Sequence, residues 1–409
     1  MKLKLISLLL CVSMLAACLA GCGSEPVKVE VTEAPAPSGT PAPTESPAPT
    51  EEPAETPNPE AEARKARFRA AYETYDPDET VMLINDTPIT WSQYFSWIYD
   101  LVNQLEASYG ELDWNEPRQE LSIFGEGSSF GSYVKKTARG YILQIAVIGQ
   151  KAKELGIELT DEQRSDLQAS IDGYTEQFGG PEGLAQLMAD SFLTMDYFIE
   201  QNEAVMLLNN IYQSMYGESG ADLPEEDAVA YLKDNGYLYV KHILFRTVDD
   251  DRNPLSEEEI ANTKAEAEDV LAQLIACPPE DLPERFDALM QQYSEDTGLI
   301  SYPDGYYFVA GQMVPAFEET VLTLEENGLD LVESEYGYHI IFCPPMKGDH
   351  VMGYDSNYAP YTPKAFASAA LFDAIANEWY SAAEWNVVYV NDFDQLDLNK
   401  LFYGSTDSN

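Results

Sequence analysis

The sequence predicts an α+β protein in which a domain of strands and helices is inserted into a mostly helical one. Residues 63–235 show helical periodicity with almost no strand signal. Residues 236–348 instead alternate between short strands and helices, and the pattern returns to helix within residues 349–409. We therefore expect the C-terminal segment to pack on the helical domain and complete it.

The composition allows two globular units and excludes several classes of function. At 409 residues, 45% of them hydrophobic, the chain can bury a sizeable core. Its 71 acidic residues outnumber 23 basic ones, so a phosphate backbone would be repelled and nucleic acid is not expected as a partner. The sequence has three histidines and neither a glycine-rich phosphate loop nor a nucleophile elbow, so we expect no metal site and no cofactor.

The first 21 residues have the features of an export signal. Lys2 and Lys4 precede an apolar stretch that is too short to span a membrane and that ends in small residues. The run Leu19-Ala20-Gly21-Cys22 resembles the lipobox of bacterial lipoproteins, in which the cysteine receives diacylglycerol and becomes the new N-terminus. Cys18 is a second candidate, and an ordinary signal peptide is the alternative. The resemblance implies a protein that is lipid-anchored to the outer face of the cell membrane.

Residues 22–62 are predicted to be a disordered tether. Between residues 24 and 60 the chain has ten prolines, eight glutamates and one lysine, and no aromatic residue. Such a segment buries too little apolar surface to offset the entropy of ordering, and its prolines favour extended conformations. We expect it to act as a semi-rigid spacer. A proline-rich ligand for another domain is the alternative.

The helical domain is predicted from periodicity and from capping signals. Thr90 and Gln93, like Thr160 and Gln163, have the spacing of a capping box, in which two side chains satisfy the first free amides of a helix. Gly156 is expected to end a helix. Helices are predicted from about residue 62 to 75, 90 to 106, 130 to 155, 160 to 179, 182 to 190 and 194 to 216, with an extended stretch at 81–85.

The inserted domain is predicted to open with a strand over Tyr237–Phe245. A charged helix follows, opened by a capping box at Ser256 and Glu259. The remaining predicted elements are a helix near 282–292, strands near 306–309 and 338–343 with a brief helix between them, and, beyond the insertion, a helix over 363–383 and a strand over 386–390.

Two cysteines, Cys277 and Cys343, lie outside the export signal. Two cysteines do not make a disulfide framework, and we favour two buried free thiols. A single bridge between them remains the alternative, because its geometry cannot be read from sequence.

Several short motifs of the insertion occur in a specific order. They are His242-Ile243-Leu244, Tyr293-Ser294-Glu295-Asp296, Gly311-Gln312-Met313, Phe317-Glu318 and Tyr336-Gly337-Tyr338-His339-Ile340-Ile341. Over about 110 residues this series resembles the parvulin (PpiC-type) peptidyl-prolyl isomerase domain. The resemblance implies a small antiparallel sheet flanked by helices.

A second, weaker resemblance lies in the helical domain. The run from Ile84 to Thr90 is similar to the "V-N-G-x-x-I-T" opening of PrsA- and SurA-type extracytoplasmic foldases, although Asp86 stands where glycine is usual. In those proteins a helical domain precedes the isomerase module, and a C-terminal helix returns to it. The implied partners are unfolded or partly folded exported polypeptides that contain X-Pro bonds.

The implied reaction is rotation about an X-Pro peptide bond. Its barrier is about 18–20 kcal/mol, because amide conjugation is lost as the bond twists. No covalent bond breaks, so a site needs an apolar slot for the proline ring and a few fixed polar groups. Each 1.36 kcal/mol gained only in the twisted state gives about tenfold in rate.

The parvulin resemblance assigns a role to each candidate site residue. The paired histidines of the family fall on His242 and His339, which would fix each other's tautomer on the cleft floor. Asp296 falls on the position of an acceptor near the substrate amide, and Ser334 on a hydroxyl beside the histidines. The substrate-binding positions fall on Met313, Phe317 and Phe308.

Other readings of the same residues are open. A histidine in a strand is more often a satisfied core residue than a catalytic one. Met313 and Phe317, four positions apart, would be ordinary core in most proteins. Asp296, which precedes Thr297-Gly298, could be a turn or helix-cap residue.

Two departures from the parvulin pattern limit what the resemblance implies. The usual Gly-Gly-Asp-Leu-Gly segment is replaced by residues 302–307, which are rich in tyrosine, so one apolar pocket wall is changed. The loop Asp249-Asp250-Asp251-Arg252 lacks the basic cluster of phosphate-directed parvulins, so phosphoserine-proline is not expected as a substrate.

These observations leave two hypotheses of different classes. The first is an active peptidyl-prolyl isomerase that assists the folding of exported proteins. The second is a catalytically weak or inactive holdase chaperone, which the altered pocket segment favours. A solute-binding lipoprotein would alternate strands and helices throughout, which residues 63–235 do not.

Overall fold

A computed structural model describes residues 59–125, 127–354, 358–382 and 385–404. The predicted export signal, the lipidation site at Cys22 and nearly all of the predicted tether lie outside these residues. Within the described part of the chain, no helix is long and apolar enough to cross a membrane.

The described residues form helices and small antiparallel sheets, which confirms the predicted α+β class. In chain order the elements are α1 (Pro59–Tyr72), β1 (Thr80–Ile84), β2 (Thr87–Thr90), α2 (Trp91–Tyr109), α3 (Phe130–Leu155), α4 (Asp161–Gln177), α5 (Pro181–Asp190), α6 (Met195–Tyr216), α7 (Glu225–Asp234), β3 (Leu238–Arg246), α8 (Glu257–Ile275), α9 (Leu282–Tyr293), β4 (Tyr306–Phe308), α10 (Pro315–Thr323), β5 (Leu329–Glu333), β6 (Gly337–Phe342), β7 (Gly353–Tyr354), β8 (Pro360–Tyr361), α11 (Pro363–Ser381), β9 (Val387–Tyr389) and α12 (Leu398–Tyr403).

The predicted capping signals start helices where expected. At the start of α2, Thr90 Oγ1 accepts from the Gln93 amide while the Gln93 side chain accepts from the Thr90 amide. Thr160 and Ser256 form the same reciprocal pair at α4 and α8. Gly156, with φ of 67°, ends α3 in the left-handed region, where glycine has no steric cost.

The chain divides into two compact units. The first contains the described residues up to Ile211 and from Ile375 onward, and the second contains the described residues between 212 and 374. The divisions therefore fall inside α6 and α11, whereas the predicted domain boundaries were 235/236 and 348/349.

The first unit brings both ends of the described chain into one core. Its three-stranded sheet has the order β2-β1-β9, with Met82 of β1 paired antiparallel to Tyr389 of β9. Phe402 of α12 packs on Phe68 of α1 with ring centroids 5.3 Å apart. Trp91 is completely buried among the aromatic residues at the start of α2. Residues of the C-terminal segment thus help to close this core.

The second unit contains a four-stranded antiparallel sheet of order β4-β3-β6-β5. Because side chains alternate along a strand, the central strands present two different faces. Ile243 and Ile340 lie in the core that α8 and α9 cover. Val240 and Ile341 lie in the opposite core, under Phe317 of α10. His242 lies two positions from Val240 and His339 two positions from Ile341, so both histidines are on this second face.

Cys277 and Cys343 are free thiols in the described structure. Cys343 is buried, and burial raises its pKa to about 11. Cys277 is only half-buried, so the prediction of two buried thiols was wrong at this position. It lies two residues after α8, whose last residue, Ile275, is 69% exposed.

Candidate active site

The two predicted histidines meet on the α10 side of the sheet. Strands β3 and β6 pair Ile243 with Ile340, which puts His242 and His339 at diagonal positions. Their Nδ1 atoms are 3.1 Å apart and their rings are nearly parallel, with an interplanar angle of 25°. His242 is 7% exposed and His339 is 4% exposed, so this contact is shielded from water.

The histidine pair lies in the middle of a hydrogen-bonded chain. Asp296 Oδ2 is 2.9 Å from His242 Nε2, and Ser334 Oγ is 2.6 Å from His339 Nε2. Tyr306 donates its hydroxyl to the same Oδ2 atom of Asp296. The structure therefore brings four predicted polar residues together and adds a tyrosine that had been noted only as a departure from the parvulin pattern.

With a neutral His242, one arrangement of protons satisfies every bond in this series. The Asp296 carboxylate can only accept, so His242 Nε2–H donates to it. His242 Nδ1 then accepts from His339 Nδ1–H, and His339 Nε2 accepts from the Ser334 hydroxyl. Ser334 Oγ in turn accepts from the Tyr336 amide at 3.1 Å. Both imidazoles are neutral in this arrangement, and each tautomer is fixed by its neighbours.

The pKa shifts fix the charge states of Asp296 and His339. Burial alone would raise the pKa of Asp296, but the hydrogen bond and charge of His242 and the bonds from Tyr306 and Gly298 lower it to about 2. Burial, then the charge of His242, lowers the pKa of His339 to about 3. Burial and the Asp296 charge raise the pKa of Tyr306, which keeps it a donor. Asp296 is thus ionised and His339 neutral near pH 7.

Local turns hold Asp296 and Ser334, on either side of the histidine pair, in place. Ser294 Oγ accepts from the amides of Leu244 and Asp296, which fixes the segment after α9 against β3. In the turn between β5 and β6, the Ser334 amide donates to the Gly337 carbonyl oxygen at 2.8 Å. The motifs Tyr-Ser-Glu-Asp and Ser-Glu-Tyr-Gly therefore act as positioning segments.

An apolar surface covers the histidine pair. Phe317 stands edge-on to both imidazoles, with centroid distances of 5.2 Å to His242 and 5.4 Å to His339. Met313 packs on the same cluster and stays partly exposed. Phe308 is 1% exposed and Phe317 is 4% exposed, and both belong to the same buried cluster.

The loop that carries Met313 is fixed by its own motif. The Glu318 carboxylate accepts from the Gly311 amide at 2.8 and 2.9 Å and from the Met313 amide at 3.5 Å. Gly311 has a φ of +90°, a conformation that glycine adopts without cost. The spacing of Gly311, Met313 and Glu318 thus presents the Met313 side chain beside Phe317.

Tyrosines occupy the segment where one apolar wall was expected. The Tyr306 ring lies 5.4 Å from the His242 ring, and Tyr302 packs on Tyr306 at 5.0 Å. Both tyrosines are partly exposed. Their rings therefore form a wall of the site, and the Tyr306 hydroxyl takes up one acceptor position of Asp296.

Steric crowding explains why the Tyr-Gly-Tyr-His motif has a glycine at position 337. Gly337 has a φ of +145°, and a Cβ atom there would lie 2.1 Å from the Phe245 carbonyl oxygen. We expect Gly337→Ala to lower the free energy of unfolding of the second unit by at least about 2 kcal/mol, as strained φ values and steric overlap do. Urea unfolding would measure this. Gly149→Ala is the control, because Gly149 lies in a helix with open space around it and alanine should stabilise by up to about 1 kcal/mol.

Acid should destabilise the second unit, because the pKa of His339 is lower in the folded protein than in the unfolded chain. The unfolded chain protonates this histidine near pH 6.5, whereas the folded site resists protonation until about pH 3. Stability is therefore fully present above pH 6.5 and falls as the pH drops towards 3. We expect denaturant midpoints to decrease between pH 7 and pH 4, and His339→Gln to flatten that decrease. An equal slope in both proteins would contradict this assignment.

Comparisons with known proteins find relatives of this part of the chain. Residues 228–343 match a family model described as the PPIC-type PPIASE domain. The foldase protein PrsA of Oceanobacillus iheyensis is 29% identical over 205 residues, which are 47% of this chain and 55% of that protein. The chain thus spans about half the length of this curated relative.

Two solved structures are similar to a larger part of the chain. PrsA from Bacillus subtilis is 20% identical, with 68% of this chain and 95% of that chain covered and a TM-score of 0.24. The peptidylprolyl isomerase PrsA from Bacillus anthracis is 17% identical, with 66% and 97% covered and a TM-score of 0.20. The family match and the conjunction of its motifs at one site identify residues 228–343 as a PPIC-type peptidyl-prolyl isomerase domain.

Proposed function

We propose that this chain is an extracytoplasmic foldase that accelerates rotation about X-Pro bonds in exported polypeptides. The observation that supports this proposal most strongly is the imidazole pair of His242 and His339, fixed between Asp296 and Ser334 under Phe317. The chemistry needs no cofactor, because the reaction breaks no covalent bond.

In the proposed mechanism the apolar surface takes the proline ring. Met313 and Phe317 contact the ring, which frees the amide from water and favours the twisted form, whose carbonyl oxygen carries less negative charge. The imidazole pair gives this surface a rigid polar floor, since every ring nitrogen of the pair already has a partner. Binding that improves as the amide twists lowers the barrier.

Asp296 has few free hydrogen-bond acceptor positions for the substrate. Its Oδ2 atom receives both His242 and Tyr306, which fills the two lone pairs of that oxygen, and Oδ1 receives the Gly298 amide. One acceptor position on Oδ1 is left. Asp296 therefore acts mainly by holding the His242 tautomer, and only secondarily as an acceptor for the substrate amide.

The proposed location is the outer face of the cell membrane. The export signal of residues 1–21 and the lipobox ending at Cys22 support a lipid anchor. The tether of residues 22–62 would hold the folded units away from the lipid surface. Unfolded exported chains are the clients that this location provides.

A catalytically weak holdase is the second candidate. Tyr302 and Tyr306 stand where an apolar wall was expected, and the Tyr306 hydroxyl engages Asp296. A site narrowed by these rings would still hold an apolar segment while favouring the twisted amide less.

A refolding experiment distinguishes the two candidates. The test protein is one whose slow refolding phase is limited by X-Pro isomerisation, which takes tens to hundreds of seconds at 25 °C without a catalyst. An active isomerase shortens this phase at substoichiometric concentration, and Met313→Ala weakens the effect. A holdase instead lowers aggregation only at stoichiometric concentration and leaves the slow phase unchanged.

A further inference from the structure

A groove of about 890 Å³ lies within the first unit, outside the isomerase domain. It is bordered by the end of α1, by α4 and α5, and by the start of α6. Most of its lining is apolar, formed by side chains that include Tyr72, Ile171, Leu184, Met188, Phe192 and Met195. A volume of this size is typical of ligand-binding clefts, which range over roughly 300–1,000 Å³.

Part of the lining belongs to a small hydrophobic cluster. Leu184 and Met188 are buried in it, whereas Ile171 and Met195 pack against it and remain partly exposed to the groove. Methionine side chains are flexible and polarisable, so they adapt to apolar groups of different shape. The walls therefore suit varied apolar side chains better than one fixed ligand.

The base of the groove is closely packed. Phe192 has a φ of +54°, an unusual conformation for a bulky residue. Its ring is held by Tyr72, Phe95 and Tyr99, with centroid distances of 5.0, 5.1 and 4.9 Å. A residue kept in a strained conformation by three aromatic neighbours forms a preorganised base, which reduces the entropy lost on binding.

The mouth of the groove carries net negative charge. Its cation Arg69 lies 3.4 Å from Asp190, which also pairs with Lys65 at 2.6 Å. The other two charged lining residues are Glu73 and Asp172, and Asp172 accepts only from the neutral side chain of Gln168 in its described contacts. Basic side chains beside an apolar segment would therefore be attracted to this mouth.

Charge also decides between the candidate occupants. The tether carries eight glutamates and one lysine between residues 24 and 60, and a second copy of the chain has a net charge of −48. Both would be repelled by an acidic mouth. We propose that this groove binds an apolar segment of an unfolded polypeptide whose apolar residues are flanked by Lys or Arg. This inference builds on the proposed foldase role and specifies which segments the helical unit holds.

The test uses two proline-free peptides, so that the isomerase site has no X-Pro bond to act on. Both are ten-residue peptides with Leu and Phe in the centre, and they differ in having two Lys or two Glu at each end. Fluorescence anisotropy with the full mature chain should give saturable binding of the Lys peptide. The Glu peptide should bind at least about tenfold more weakly, which corresponds to about 1.4 kcal/mol.

A matched pair of variants locates the binding. Ala185 is exposed and lines the groove, so Ala185→Trp should fill it and weaken the Lys peptide about tenfold. Ala169, an exposed helical alanine outside the lining, is the control, and Ala169→Trp should change affinity by less than about twofold. Combined Glu73→Gln and Asp172→Asn substitutions should reduce the preference for Lys over Glu.

Several results would overturn the inference. These are equal affinity for the two peptides, unchanged binding in Ala185→Trp, a dimer that Ala185→Trp dissociates, and binding that appears only after deletion of residues 22–58. The first two results would deny the preference for Lys-flanked peptides or the location of binding in the groove. The last two would assign the groove to a second copy of the chain or to the tether. Isomerisation of an X-Pro tetrapeptide should be the same in all these variants. Its absence from the unaltered protein would contradict the isomerase function alone.

Discussion

Replacing His339 by alanine is expected to lower kcat/KM for an X-Pro tetrapeptide by at least about tenfold, a loss of about 1.4 kcal/mol of transition-state stabilisation. The substitution removes the partner of both His242 Nδ1 and the Ser334 hydroxyl. His242 Nδ1 then lacks a partner in a buried site, and the floor under Phe317 loses a ring. A protease-coupled assay at several substrate concentrations would measure the change.

His350 provides the matched control for this substitution. It lies in the same unit, where its Nδ1 atom is 2.8 Å from the Tyr307 hydroxyl and its ring lies 4.9 Å from that of Tyr239. His350→Ala should keep kcat/KM within about twofold. Equal losses in the two variants would mean that the histidine pair has no special part in the reaction. A loss of stability without a loss of kcat/KM in His339→Ala would assign the pair a purely structural role.

Replacing Phe317 by alanine is expected to lower the free energy of unfolding of the second unit by about 3–5 kcal/mol, as Phe→Ala substitutions in cores do. Phe317 is 4% exposed and is packed among Val240, Phe308, Val321 and Ile341. Its loss opens a cavity over both imidazoles and exposes their hydrogen bonds to water. Urea unfolding followed by near-ultraviolet circular dichroism would measure the loss.

The same helix contains a control for Phe317. Leu322 is 59% exposed, so Leu322→Ala removes a comparable apolar side chain that is not buried. It should change the free energy of unfolding by less than about 0.5 kcal/mol. A small effect of Phe317→Ala, close to that of Leu322→Ala, would contradict the packing of α10 over the histidine pair.

Much of the fold could be predicted because its signals are local. Thr90, Thr160 and Ser256 each begin a helix, since the reciprocal bonds of a capping box lie within four residues. Gly156 ends α3 for an equally local reason. Such signals do not depend on the rest of the chain.

Some elements that are stabilised by distant partners were not predicted. Strand β5 has few buried side chains and two acidic residues, Asp330 and Glu333, so its sequence lacks an alternating apolar pattern. It forms because β6 supplies five paired positions. Helix α12 is six residues long and depends on contacts such as that of Phe402 with Phe68. Helix α7 was also missed, although its first turn is acidic, as the helix dipole favours.

The candidate site was predicted in part, for a comparable reason. The motifs identified His242, His339, Asp296 and Ser334, and strand parity places the two histidines on one face. The bond from Tyr306 to Asp296 could not be predicted, because it depends on how the turn after Asp296 folds back to β4. The buried position of Phe308, behind Phe317, also follows from sheet packing rather than from any motif.

Exchange NMR spectroscopy of an X-Pro tetrapeptide at equilibrium measures the reaction without a coupling protease. With the full mature protein at a few per cent of the peptide concentration, the cis–trans exchange rate should rise well above the uncatalysed rate. Met313→Ala should reduce the rise, and Ala185→Trp should leave it unchanged. An exchange rate equal to that of the peptide alone would contradict the proposal that the imidazole pair beneath Met313 and Phe317 catalyses rotation about the X-Pro bond.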